Sequence, residues 1–96
     1  MSVKKLKAEL DAWLDENDKL LRGDAKFYSK DDWQDRGETI GRAAALTLTI
    51  EGSPLYAALN YGEPSWDISE KLSEIVMRHG FHYEQGYAWS VHFYQG

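Results

Sequence analysis

The last stretch of the chain constrains the fold most. From Phe81 to Phe93, large apolar side chains recur on one parity: Phe81, Tyr83, Tyr87, Trp89, Val91 and Phe93. His82, Glu84, Ala88, Ser90, His92 and Tyr94 share the other. A period of two belongs to β-strands with one buried face. The Glu84-Gln85-Gly86 triplet predicts a hairpin with a bulged three-residue loop, in which Phe81 faces Trp89 and Tyr83 faces Tyr87. A single long bent strand would present the same two faces.

A second alternating segment runs over residues 43–61. Ala44, Leu46, Leu48 and Ile50 precede Gly52-Ser53, and Leu55, Ala57, Leu59 and Tyr61 follow it. A Gly-Ser pair suits a type II′ turn with positive φ at Gly52. That register pairs Ile50 with Leu55, Leu48 with Ala57 and Leu46 with Leu59. It gathers every large aliphatic on one face, which a one-residue slip would undo.

Helical spacing governs the other segments. Val3, Leu6, Leu10, Trp13, Leu14, Leu20 and Leu21 predict an amphipathic helix over 3–22, capped by Ser2 and ended by Gly23. Its apolar stripe is narrow and interrupted by Asn17, so it suits either a helix lying on a sheet or one pairing with another chain. Ser29-Lys30-Asp31-Asp32 reads as the start of a short helix from Lys30 to Arg36, stopped at Gly37 and anchored by Trp33. Ile68, Leu72, Ile75, Val76 and His79 share one face of a helix over 66–79. Asp67 and Glu70 have capping-box spacing there, and Gly80 ends the helix.

The expected fold is therefore a single α+β domain over 1–96. A small antiparallel sheet of three to four strands, built from two hairpins, packs with two main helices in the order α-(α)-β-β-α-β-β. The chain has no cysteine, so burial must hold it together without disulfides, and its four Trp, six Tyr and three Phe suit that task. Trp13, Tyr61, Phe81, Tyr83, Tyr87, Trp89 and Phe93 are assigned to the core by these patterns. Phe27, Tyr28, Trp33, Tyr56, Trp66 and Tyr94 are left over.

The net charge of −5 argues against electrostatic capture of nucleic acid. No apolar run is long enough for a membrane span. The basic N-terminus leads into Ala-Glu-Leu-Asp, not an apolar signal region, so a cytoplasmic protein is expected.

Motifs that carry chemistry are sparse. His79 and His82 have the spacing of a metal pair, but Gly80 separates a helix end from a strand between them. His82 and His92 share a face, about 13 Å apart in the expected register at ~3.3 Å per residue, too far to act on one atom. Ser90 stands two residues from His92, about 6.6 Å by the same rise. Asp31, Asp35 and Glu38, and the run Asp15-Glu16-Asn17-Asp18, read as solvated faces. Arg22-Gly23-Asp24 and Gly37-x-x-x-Gly41 are too short to be specific.

More informative is the expected second sheet face, with Thr47, Thr49, Tyr56, Ala58, Asn60, His82, Ala88, Ser90, His92 and Tyr94. It carries almost no formal charge and is rich in hydrogen-bonding groups, so helix 1, a ligand or another chain should cover it. The expected function is a small acidic protein-binding or regulatory module of the inhibitor, immunity or adaptor type. Its candidate binding residues are Trp33, Tyr56, Asn60, Trp66, His82, His92 and Tyr94. No catalytic residue, metal or cofactor is assigned. The expected partner is another protein, a second copy of this chain included. Two alternatives are a ligand-binding or enzymatic domain, with a pocket between helix 1 and the sheet using His82 or His92, and an acidic nucleic-acid mimic.

Overall fold

The computed structural model describes residues 2–17 and 22–96. It is an α+β fold: α1 (Val3–Glu16), β1 (Lys26–Ser29), α2 (Lys30–Asp35), β2 (Leu46–Thr49), α3 (Leu55–Tyr61), α4 (Asp67–Arg78), β3 (Phe81–Gln85) and β4 (Ser90–Gln95). The four strands form one antiparallel sheet in the order β1-β2-β4-β3.

On one sheet face, Phe27, Leu48 and Val91 line up across three strands, and Leu46 stands beside Phe93 and Tyr83. Leu6, Leu10 and Leu14 of α1 and Leu72, Ile75 and Val76 of α4 close over this face, all essentially without exposure. The expected pocket between helix 1 and the sheet is thus filled by leucines.

Ser2 caps α1 as expected, accepting a hydrogen bond from the Lys5 N–H at 3.3 Å. The helix ends at Asn17, earlier than the periodicity implied. The Asn17 side chain donates to the Trp13 carbonyl instead of entering a seam. Leu20 and Leu21 lie outside the described residues. Ser29 caps α2 through the Asp32 N–H at 3.1 Å. In α4 the expected Asp67 cap shifts by one position: Trp66 is the cap residue, and Ser65 Oγ accepts from the Asp67 N–H.

The first expected hairpin does not form. Its first arm is β2, but residues 55–61 are helix α3, and β2 pairs with β1 and β4 instead. Leu55 and Leu59 are four apart, a spacing that fits one strand face and one helix face equally. Ala58 at the third step completes the helical face: Leu55, Ala58 and Leu59 are buried. Ala57 was too small to discriminate. Gly52 does have positive φ, at 82°, but its turn leads from β2 into a helix.

The last segment is a hairpin with another register. Phe81 pairs with Gln95, Tyr83 with Phe93 and Glu84 with His92, leaving residues 86–89 as the loop. The offset from the expected pairing is even, so Phe81, Tyr83, Val91 and Phe93 keep one face. Tyr87 and Trp89, assigned to the core by the expected register, leave the strands, and the Trp89 ring comes within 6.2 Å of Trp33 instead. The Tyr87 and Trp89 rings stack on each other at 4.7 Å, nearly parallel at 4°.

Candidate functional site

On the second sheet face, Tyr28, Thr47, His92 and Glu84 form one cross-strand row, and His82 sits beside Tyr94. Tyr56, Ala58 and Asn60, expected here, belong to α3, and Ala88 lies in the β3–β4 loop. What covers the centre of this face is α2 with the segment after it, and not α1.

Trp33 is the lid. Fully buried, it sets its ring 5.3 Å from the His92 ring and edge-on to Tyr28 at 5.6 Å, and its Nε1–H donates to the Ile40 carbonyl at 2.8 Å. The Arg36 guanidinium lies 5.0 Å from both the Trp33 and Tyr28 rings, a cation–π clasp over the lid. Trp33 was expected as a binding anchor. The sheet takes it instead, through the Tyr28 and His92 rings and the Ile40 carbonyl.

Beneath Trp33 lies a closed polar cluster. His92 Nδ1 is 2.9 Å from Thr47 Oγ1, and His92 Nε2 is 2.9 Å from Ser90 Oγ. Ser90 Oγ also accepts the Tyr87 N–H at 2.9 Å. Thr47, Ser90 and His92 are all buried. Two glycines press on the ring: a β-carbon at Gly41 or Gly86 would overlap it. The expected distance between Ser90 and His92 counted only backbone rise; their side chains lean together on one face.

A hydroxyl beside an imidazole is the opening arrangement of nucleophilic catalysis. Here the third group is a threonine hydroxyl, not a carboxylate, and Ser90 has no exposure to a substrate. Burial pushes the His92 pKa below its ordinary value, with the Glu84 carboxylate opposing in part. A neutral ring accepts from one of these hydroxyls and donates to the other, whereas an imidazolium would donate from both nitrogens and leave one hydroxyl proton without its acceptor, so the hydrogen bonding works with burial against the charged form. The cluster fastens β2, β4 and the β3–β4 loop together.

The outer end of this face is open. His82 is exposed on β3 and stacks on Tyr94 at 5.5 Å and 19°, with Nδ1 3.3 Å from the Gly96 carbonyl oxygen. His79 faces elsewhere: its Nε2 lies 2.6 Å from Glu9 Oε1, and Arg78 pairs with the same carboxylate. Among the described residues no group of three or more acidic or imidazole side chains converges on a metal position.

The remaining candidates meet at the corner between α3 and α4. Asn60 donates to the carbonyls of Tyr56 and Ala88, both at 2.9 Å, so it ties α3 to the β3–β4 loop. Tyr56 is half-buried and contacts the ring of Tyr61 at 6.3 Å. Tyr61, assigned to the core by the expected hairpin, is 64% exposed, because the helical turn points it away from Leu55 and Leu59. Trp66 is 57% exposed, and its indole rests so closely on Gly62 that a β-carbon there would overlap the ring. Gly62 has φ 67°, the left-handed helix end that makes this approach.

Comparison with protein-family models, with curated proteins and with solved structures finds no match.

The seven candidates therefore divide into three groups. Trp33 and His92 form an interior lock. His82 and Tyr94 stack at the outer end of the sheet face. Tyr56, Asn60 and Trp66 belong to the α3–α4 corner, joined by Tyr61, which sequence reasoning missed. A helical reading of Leu55, Ala58 and Leu59 would have put Tyr61 outside. No helix among the described residues is long and apolar enough to cross a membrane.

Proposed function

We propose that this protein is a non-enzymatic protein-binding module of the cytoplasm, of the inhibitor, immunity or adaptor type, which grips its partner with the α3–α4 corner. One observation carries the reading: Tyr61 and Trp66, two large aromatic side chains, stand exposed on either side of Gly62. Exposed aromatic groups offer apolar area at about 25 cal/mol/Å², and Trp and Tyr are enriched among residues that dominate interfaces. The Gly62 backbone already fixes the plane of the Trp66 ring, so less side-chain freedom is lost on binding. Support also comes from the Ser90–His92 pair, which spends both imidazole nitrogens on interior hydroxyls. A cysteine-free chain needs no oxidising compartment, which suits the cytoplasm.

The test is capture of a partner from the native host, its purification, and titration against Trp66→Ala and Tyr61→Ala. Each substitution should weaken binding on the order of tenfold or more while leaving the fold intact. Undiminished affinity in both variants would remove the corner as the site.

A further inference from the structure

The two edges of the sheet are treated differently. The β1 edge carries Lys26, is followed at once by Lys30 and turns directly into α2. Lysine on an edge discourages pairing with another strand. The β3 edge, Phe81-His82-Tyr83-Glu84-Gln85, has no lysine, proline or glycine. A groove of about 360 Å³ runs along it, lined by Ser73, Val76 and Met77 of α4 and by His82 to Gln85. Met77 stands 69% exposed at its rim.

The backbone polarity of this edge follows from the hairpin. The Gly80 carbonyl accepts the Gly96 N–H at 3.0 Å, and the Gly86 N–H donates to the Ser90 carbonyl at 3.2 Å. Such pairs recur at every second residue of an antiparallel ladder. His82 and Glu84 therefore turn their backbone groups to β4, whereas Phe81, Tyr83 and Gln85 turn theirs to the open edge.

We propose that this edge pairs with the same edge of a second copy of the chain, antiparallel about Tyr83, to make a continuous eight-stranded sheet. A two-fold axis at Tyr83 sets Tyr83 against its counterpart and Phe81 against Gln85, so every outward N–H and C=O meets a partner. On the other face it sets His82 of each copy opposite Glu84 of the other. Shifting the axis by one residue in either direction puts Glu84 against Glu84 or His82 against His82, and pairs only three of the five residues. The sequence of the edge is thus self-complementary in one register, with imidazole facing carboxylate twice. The apolar rim at Met77 lies beside the axis and would lose its exposure in the pair.

Two exposed-site variants test this in the full chain by sedimentation equilibrium. His82→Glu faces carboxylate with carboxylate, and His82→Lys/Glu84→Lys faces ammonium with ammonium. The unsubstituted protein should sediment at twice the monomer mass. Each variant alone should shift toward monomer on the order of tenfold or more, and their equimolar mixture should recover the dimer, because its pairs are Glu–Lys at both positions. A monomeric unsubstituted protein overturns the proposal. So does a dimer that persists in both variants alone. Far-ultraviolet circular dichroism of each variant establishes that it folds. If either is unfolded, His82→Glu/Glu84→Lys, which restores opposite charges within one chain, must dimerise for the register to stand.

Discussion

Ser90 and His92 stand two residues apart on β4 and hold each other across 2.9 Å, Oγ to Nε2. The contact turns a reactive-looking pair into a structural one, because the second imidazole nitrogen is engaged by Thr47 and Trp33 closes the face above. The stability of the protein should therefore register the protonation state of a ring that no solvent reaches.

The His92 pKa is lowered in the folded state by burial, so the unfolded chain binds the proton first as pH falls. The site's contribution is complete above the unfolded value of about 6.5 and is lost as pH drops from there toward the folded pKa, at up to ~1.4 kcal/mol per pH unit. Urea denaturation of the unsubstituted protein and of His92→Gln at several pH values reads this directly. The gap between the two curves should narrow on acidification below about pH 6.5. Parallel curves would mean that the ring is protonated without penalty.

Gly41 and Gly37 separate backbone strain from packing against that ring. Both have positive φ, 78° and 81°, but a β-carbon at Gly41 would overlap His92, while one at Gly37 meets nothing within 4 Å. Gly37→Ala should cost about 1–2 kcal/mol from conformation alone. Gly41→Ala should cost ~1–3 kcal/mol more, the usual range for forcing atoms into a packed interior. Equal midpoints in urea for the two variants would show that the His92 ring yields freely.

Much of the fold was legible because period-two and period-three-to-four patterns were long and unambiguous in places. Leu6, Leu10 and Leu14, Leu72, Ile75 and Val76, and Phe81, Tyr83, Val91 and Phe93 kept their assigned faces, whereas Tyr87 and Trp89 did not. What failed was short. Residues 55–61 satisfied both periods, since positions four apart coincide in helix and strand. β1 has only four residues and no alternation to announce it. The candidate site was less legible than the fold, because burial of Trp33 depends on where a two-turn helix lands. No local spacing reveals that α2, rather than α1, covers His92.

Asn60 distinguishes a strut from a binding group. Its amide donates to two carbonyls, and its Oδ1 lies 3.4 Å from Gln85 Nε2. Asn60→Ala should lower stability by about 1 kcal/mol, the net worth of ordinary hydrogen bonds. The loss is limited because Gln85 still reaches the Ala88 carbonyl at 3.3 Å. Hydrogen exchange should increase at the Tyr87 and Ser90 amides, which the loop holds. Unchanged exchange there, with unchanged stability, would remove Asn60 from this structural role.

Glu9 joins the two main helices, receiving both His79 and Arg78 from the end of α4. The hydrogen bond from His79 leads the effects that hold its carboxyl below the ordinary value; Arg78 adds to it against the cost of burial. A depressed carboxylate contributes stability that is present above its unfolded pKa of about 4.5 and lost as pH falls through the folded value. The Glu9 side chain is 34% exposed, so solvent screening keeps the contribution small. Glu9→Gln should cost about 0.5–1 kcal/mol near neutral pH. The loss should shrink at high salt and vanish once acid protonates Glu9 in the unsubstituted chain. In thermal melts at pH 7 and at pH 3, about four pH units apart, the penalty should be smaller at the acid end. A penalty of equal size at both would mean that Glu9 acts through packing and not through its charge.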